Sequence, residues 1–234
     1  MERRLPPVSA IPIDLAALHA TVGAGARTVL EVGAHHGTHT ATFLEAFPQA
    51  HVHAFEPDPR AADRFRAGVA DRRVTLHEMA IGAANGRAEF HVSSGMPPGA
   101  TKDVESRYRK GWDQSGSLRA PKRHLERHPW CRFVRTISVE VRTLDAWSRK
   151  HAPGTVDFIW ADVQGAEGDL VRGGAETLAR TRWFYCEYSD DELYEGEPTL
   201  AALLDMLPGF EVERLYPSDV LLRNVALTNR PRAR

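Results

Sequence analysis

The chain has 234 residues, 42% hydrophobic and 26% charged, enough for one globular domain with a substantial core. Its formal net charge of −1 gives no global positive field of the kind that attracts nucleic acid, and no apolar run approaches the roughly 18 residues of a membrane span. Residues 1–7 lack the apolar core of a signal peptide, and Cys131 and Cys186 form no C-x-x-C, so the reading is a cytoplasmic protein without a disulfide framework or zinc site.

In chain order, Leu15, Leu18 and Val22 recur at helical spacing behind Asp14 and predict a helix over 13–22, within an N-terminal helical extension over 1–26. A buried strand over 27–32 follows. Then come a helix over 38–47 closed by Pro48, a strand over 51–55, and a helix over 59–69 with Pro59 in its first turn. Strands are expected over 74–77 and, after the Asn85-Gly86 turn, over 88–92. The 93–133 stretch has no long apolar periodicity. Nine Lys/Arg stand there against four acids, with Tyr108, Trp112 and Trp130 interleaved. Long irregular segments inside compact domains are often lids or binding loops, so 93–135 is read as an inserted substrate-binding lid.

Regular patterns return with a strand over 137–141, a helix over 143–150 and a strongly apolar strand over 156–161 that ends at Asp162. A helix over 166–180, interrupted at Gly173-Gly174, precedes a strand over 183–186 that ends at Glu187. A helix over 200–207 and two successive strands over 210–215 and 220–228, most simply an antiparallel pair, complete the chain. Strand and helix alternate almost throughout, which makes the fold α/β with a mainly parallel sheet in a single domain over 1–234.

The chemistry falls at the strand ends, where open α/β sheets bind ligands. Glu31-Val32-Gly33-Ala34-His35-His36-Gly37 closes the first strand, and Glu56 closes the second, nineteen residues past Gly37. The spacing is E-x-G-x-x-x-G rather than the dinucleotide G-x-G-x-x-G. Glu31, Glu56, Glu78, Asp162 and Glu187 all fall at such ends. So many carboxylates repel a pyrophosphate and suit a ligand with a cation and free hydroxyls, which S-adenosylmethionine is. Glu56 is the candidate for the ribose hydroxyls and Glu31 for the ammonium end, directly or through water. The N–H groups of Gly33, Ala34, His35 and Gly37, at a helix start, are candidates for the methionine carboxylate.

These stretches, together with Ala54-Phe55-Glu56-Pro57-Asp58, Ala80-Ile81-Gly82, Gln114-Ser115-Gly116-Ser117-Leu118, Val141-Arg142-Thr143-Leu144-Asp145 and Asp162-Val163-Gln164-Gly165-Ala166-Glu167, resemble the FkbM-type family of S-adenosylmethionine-dependent methyltransferases. The resemblance covers roughly 27–190, and the Asp162–Glu167 box is its most specific part. It departs at Gln164, where the family usually has glutamate. The resemblance implies a Rossmann-like, seven-stranded sheet with an antiparallel last strand, and methyl transfer to oxygen on a sugar or natural-product small molecule, with S-adenosylhomocysteine as product. It adds Thr40, Pro57, Ala80 and Asp162 to the cofactor-binding set.

A hydroxyl needs a base to become a good nucleophile, and Asp162, then Glu187, then His36 are the candidates. Trp112 and Trp130 are candidates to stack on an acceptor ring, and Gln114, Ser115 and Ser117 to bind its hydroxyls. Asp162 and Glu187 are also oxygen ligands of the type Mg²⁺ takes, but two carboxylates are a thin shell and no metal ligand is assigned. The expected partner is a small-molecule acceptor, with no nucleic acid and no membrane, and the oligomeric state is open. An N-methyltransferase or a non-catalytic S-adenosylmethionine-fold binding protein are the alternatives.

Overall fold

The computed structural model describes residues 5–9, 14–109, 111–151 and 153–228. Residues 1–4 and 10–13 of the expected N-terminal extension, including Ile13 at the expected start of the first helix, lie outside them. In chain order the described elements are α1 (Leu15–Val22), β1 (Thr28–Val32), α2 (Thr38–Ala46), β2 (His51–Phe55), α3 (Pro59–Gly68), β3 (Val74–His77), β4 (Ala80–Ile81), β5 (Gly86–Gly95), α4 (Lys102–Arg107), α5 (His124–Arg127), β6 (Cys131–Arg142), α6 (Leu144–His151), β7 (Val156–Ala161), α7 (Glu167–Gly173), α8 (Ala175–Ala179), β8 (Thr181–Glu187), α9 (Leu200–Met206), β9 (Phe210–Leu215) and β10 (Asp219–Asn224).

Seven strands form one sheet in the order β3-β2-β1-β7-β8-β10-β9. β1 pairs in parallel with β2 and β7, β2 with β3, and β7 with β8, whereas β10 runs antiparallel to both β8 and β9. This is the Rossmann-like seven-stranded sheet with an antiparallel last strand that the resemblance implies. The central strands are apolar on both faces because helices cover both. Side-chain alternation divides them between two cores. Leu30, Ile159 and Phe184 face the core built with α6, α7, α8 and α9 through Leu144, Leu170, Leu178 and Leu203. Val29, Phe158 and Trp183 face the other, built with α1 and α2 through Leu18, Phe43 and Phe47. α3 packs on that second side through Phe65, against Ala54.

Helix starts follow local chemistry. The Asp14 carboxylate accepts from Ala17 N–H at 2.7 Å to cap α1. Asp58 accepts from Arg60 N–H at 2.9 Å to cap α3, with Pro59 at its first position. The 166–180 helix is two helices, broken at Gly173-Gly174 as its glycines imply. There a Cβ on Gly173 would stand 2.1 Å from the Gly82 carbonyl oxygen.

Two strand expectations are corrected in placement. The 88–92 and 137–141 strands are not in the main sheet; they belong to β5 and β6, which pair antiparallel in a second, three-stranded sheet of order β4-β6-β5. Both are longer than expected, and β4 was not anticipated at all. The small sheet has its own core of Ala80, Phe90, Val92, Val139 and Val141. The chain between β5 and β6 is therefore a long excursion from a hairpin, with the short α4 and α5 as its helices among the described residues. Among the described residues, no helix is long and apolar enough to cross a membrane. Cys131 and Cys186 are both buried and free.

Candidate functional site

A cavity of about 230 Å³ opens beyond the carboxyl ends of β1, β2 and β7. Its floor is Gly33, Ala34 and His35, and its flanks are Glu56 and Pro57 on one side and Asp162 and Gln164 on another. Met79, Ala80 and Ile81 form an apolar wall that Phe90 and Leu118 extend. Asp113, Gln114 and Arg107 close it from the β5–β6 excursion, and Thr38 and His39 from the first turn of α2.

The glycine loop is pinned between its neighbours. Gly33 and Ala34 N–H both donate to the Phe55 carbonyl, at 3.0 and 2.9 Å, and Asp162 N–H donates to the Val32 carbonyl at 2.9 Å. Gly33 has φ +91°, and a Cβ there would lie 1.8 Å from the Asp162 carbonyl oxygen. Gly37 has φ +82°, and its Cβ would meet Val69 at 2.4 Å. Gly37 does not line the cavity; it lets α2 begin against α3. The expected carboxylate cradle is corrected in part, because the N–H groups of Gly33, Ala34, His35 and Gly37 already have partners. Donors without intrahelical partners remain in the first turn of α2, where Thr38 and His39 reach the cavity.

Glu56 is almost fully buried at the cavity edge. One carboxyl oxygen accepts from Asp58 N–H at 2.7 Å and the other from His35 N–H at 2.8 Å. These bonds fix the group and leave a second lone pair on each oxygen. Burial pushes its pKa up to about 8, against the pull of the two backbone donors. Glu31 is differently placed. Strand alternation turns it away from the cavity towards α2, where it accepts from the Thr40 hydroxyl. It is fully buried, its Oε1 has no hydrogen-bond partner among the described residues, and burial raises it to about 8. Neither Glu31 nor Thr40 lines the cavity. Glu78 is an exposed carboxylate paired with Arg66, outside the site.

The two histidines of the loop stack at 3.5 Å between ring centroids. Asp113 meets both, with Oδ1 2.7 Å from His35 Nε2 and Oδ2 3.2 Å from His36 Nε2. Arg64 Nη1 stands 3.2 Å from that His36 nitrogen and 3.4 Å from Asp113. Burial opposes the charge on Asp113, but the histidine contacts outweigh it and its pKa is lowered. His35, His36 and Asp113 have metal-ligand character, yet Arg64 already supplies their cation. His36 does not reach the cavity, whereas His35 and Asp113 do.

Most of the expected acceptor-binding residues hold the excursion together instead. Trp112 Nε1 donates to the Ser115 hydroxyl at 3.1 Å, and Trp112 and Trp130 pack edge to face. The Ser117 hydroxyl donates to the Gln164 carbonyl at 2.6 Å. An irregular segment lacks ladder partners, so its polar groups are consumed in fastening it. Only Gln114 of the five lines the cavity. Thr38, His39, Met79, Arg107 and Asp113 line it unforeseen. Asp113 had no signal beyond being one acid in a basic segment.

Asp162 projects into the cavity and Glu187 lies behind it, outside the lining. Gln164 Nε2 donates to both, to Asp162 Oδ1 at 2.6 Å and to Glu187 Oε2 at 2.8 Å. Burial raises the Glu187 carboxyl well above its ordinary value, and nearby Asp162 and Glu167 add to it. Glu167, buried at the start of α7, accepts from Val163 N–H at 3.1 Å and is pushed by burial up to about 8. A carboxyl raised in the folded state holds a proton that the unfolded chain loses above about pH 4.5. Its stability contribution is therefore full below that pH and is lost as pH rises to about 8. Glu167→Gln is expected to remove one proton's share of that decline, about 1.4 kcal/mol per pH unit between pH 5.5 and 7.5, read from urea unfolding at a series of pH values.

Residues 31–216 match the family model described as a methyltransferase FkbM domain. The chain is 47% identical over 204 residues to the 2-O-methyltransferase NoeI of Sinorhizobium fredii (strain NBRC 101917 / NGR234), covering 85% of this chain and 80% of that protein. Among solved structures, the methyltransferase FkbM of Methylobacillus flagellatus KT aligns with a TM-score of 0.49 at 14% identity, over 85% of this chain and 43% of the other. Fibrillarin from Aeropyrum pernix, solved with natively bound S-adenosyl-L-methionine, aligns with a TM-score of 0.44 at 17% identity, over 86% and 67% of the two chains.

Proposed function

Because the chain belongs to the FkbM methyltransferase family and is an O-methyltransferase, we propose that it uses S-adenosylmethionine to methylate a ring hydroxyl of a small-molecule sugar acceptor, at the 2-position. The observation that carries this reading is the shared cavity of Glu56 and Asp162, beyond the carboxyl ends of β2 and β7. Glu56 fits a ribose diol because both its oxygens are held by backbone donors and keep one free lone pair each. Met79, Ile81 and Leu118 fit an apolar base edge. The 2-O locant of the NoeI relative fits a numbered polyol ring such as a sugar.

When bound, S-adenosylmethionine supplies an activated methyl group, so the protein's task is alignment and proton removal. Asp162, a carboxylate of the cavity lining, accepts the proton of the acceptor hydroxyl in this reading, and His39 and Arg107 line the same cavity. Glu187 and His36, outside the cavity, act through Asp162 and His35.

The test has two arms. Calorimetry with S-adenosylhomocysteine should give micromolar or tighter binding, and labelled methyl transfer should then appear in mono- and oligosaccharide pools. Linkage analysis of the product should place the methyl group on O2. Binding without transfer to any sugar, or a label on nitrogen, would sink the acceptor assignment.

A further inference from the structure

The amide of Gln164 bridges Asp162 and Glu187. Its nitrogen lies 2.6 Å from Asp162 Oδ1 and 2.8 Å from Glu187 Oε2, and its Oε1 lies 3.1 Å from the Tyr194 hydroxyl. In this orientation the amide nitrogen faces both carboxyl groups and its oxygen faces the Tyr194 hydroxyl, whose one hydrogen is shared with the Ser115 carbonyl at 2.9 Å. The backbone holds it there: Gln164 has φ +52°, and its carbonyl accepts from the Ser117 hydroxyl. A Cβ on the following Gly165 would lie 2.6 Å from Tyr194, so loop and tyrosine interlock.

Two carboxyl groups within hydrogen-bond reach of one nitrogen fall inside the roughly 4–6 Å over which like charges disfavour each other. Glu167 and Asp219 add further acids nearby. No lysine or arginine is ion-paired to Asp162, Glu167, Glu187 or Asp219 among the described residues.

We propose that Gln164 is a positioning residue that binds the Asp162–Glu187 pair in a singly protonated form, one amide hydrogen going to each carboxyl group. An NH₂ group offers two hydrogens and no charge, which matches two carboxyl groups sharing one proton. A glutamate here would set another carboxyl against the pair and remove both donors. The consequence for catalysis rests on the methyl-transfer reading. A pair that holds one proton has room for one more, so Asp162 takes the proton of the acceptor hydroxyl at the cavity face and later returns it to water. Glu187, outside the cavity lining and raised by burial, stays behind as the neutral partner in this proposal.

The experiment titrates the full chain, labelled with ¹³C at its Asp and Glu carboxyls, by NMR as wild type, Gln164→Leu and Gln164→Glu. In wild type the pair should lose its last shared proton well above the ordinary carboxylate range. Gln164→Leu should raise that step by about one unit or more, because both donors to the ionised form are gone. Gln164→Glu should bind about one further proton at pH 7. Titration of Asp162 and Glu187 in Gln164→Leu as in wild type overturns the proposal. If Gln164→Leu does not fold, the absence of extra proton uptake in Gln164→Glu overturns it alone. Loss of packing alone would admit water and lower that step instead, since burial is the largest cause raising Glu187, and a lowered step overturns the proposal. Calorimetry of wild type with S-adenosylhomocysteine is run alongside: no heat would overturn the methyl-transfer reading while leaving the proton count of the pair standing.

Discussion

Glu56→Ala is expected to weaken S-adenosylhomocysteine binding about 100-fold or more, the loss of two hydrogen bonds to a carboxylate at about 1.5–3 kcal/mol each. The effect is large because Glu56 has two jobs. It faces the cavity, and its oxygens hold the N–H groups of Asp58 and His35, which set the β2 end and the glycine loop. Glu56→Gln separates them. The amide keeps an acceptor for one backbone donor but sets its NH₂ against the other and carries no charge, so it should recover part of the stability and little of the affinity. The sign of the pH dependence follows from the same residue. Burial raises the empty-site carboxyl to about 8, and the ribose diol is bound best by the ionised form. Affinity should therefore climb as pH rises from 6.5 to 8, by at most tenfold per unit, and flatten above. Calorimetry at several pH values reads both effects. A flat profile in wild type would remove Glu56 from ribose recognition.

Gly33→Ala is expected to lower the thermal midpoint by about 6–12 °C, corresponding to a loss of about 3 kcal/mol. The added Cβ would stand 1.8 Å from the Asp162 carbonyl oxygen, a contact with backbone that no rotamer change relieves, and it would have to adopt φ +91°. Relief requires the β1 loop to move from β7, which breaks the bond from Asp162 N–H to Val32. Because the loop floors the cavity, cofactor affinity should fall with stability. Gly25→Ala is the control, since nothing lies within 4 Å of its added Cβ. Equal midpoints for Gly33→Ala and wild type in a thermal melt would contradict the packing described here.

The legible parts of the chain were those whose chemistry is local. The apolar run at β7, the Asp58-Pro59 helix start, the Gly173-Gly174 break and the succession of the last two strands are decided within a few residues, and they appear where the pattern places them. Glu56 and Asp162 were found at strand ends because the α/β connection rule sends every parallel strand to the same edge. Glu31 shows the limit of that logic. It sits one residue inside its strand end, and the two-residue period turns its carboxylate to α2 rather than to the cavity. The alternation over 88–92 and 137–141 likewise identified strands but not their sheet. Period 2 reports one buried face and says nothing of which partner covers it.

The sequence by itself determined the class of sheet, the glycine turn with the acids Glu56 and Asp162 at its strand ends, and the methyltransferase family. Each of these depends on backbone geometry and on neighbours close in the chain. Only the tertiary structure decided which polar residues face the cavity and which are spent on the protein. Trp112, Ser115 and Ser117 fasten the β5–β6 excursion, while Asp113, from the same stretch, reaches His35 across 78 positions. Gln164 joins Asp162 to Glu187 across 23. A hydrogen bond is set by distance and direction in space, and two ends that distant in sequence meet only after the sheet has brought their strands together.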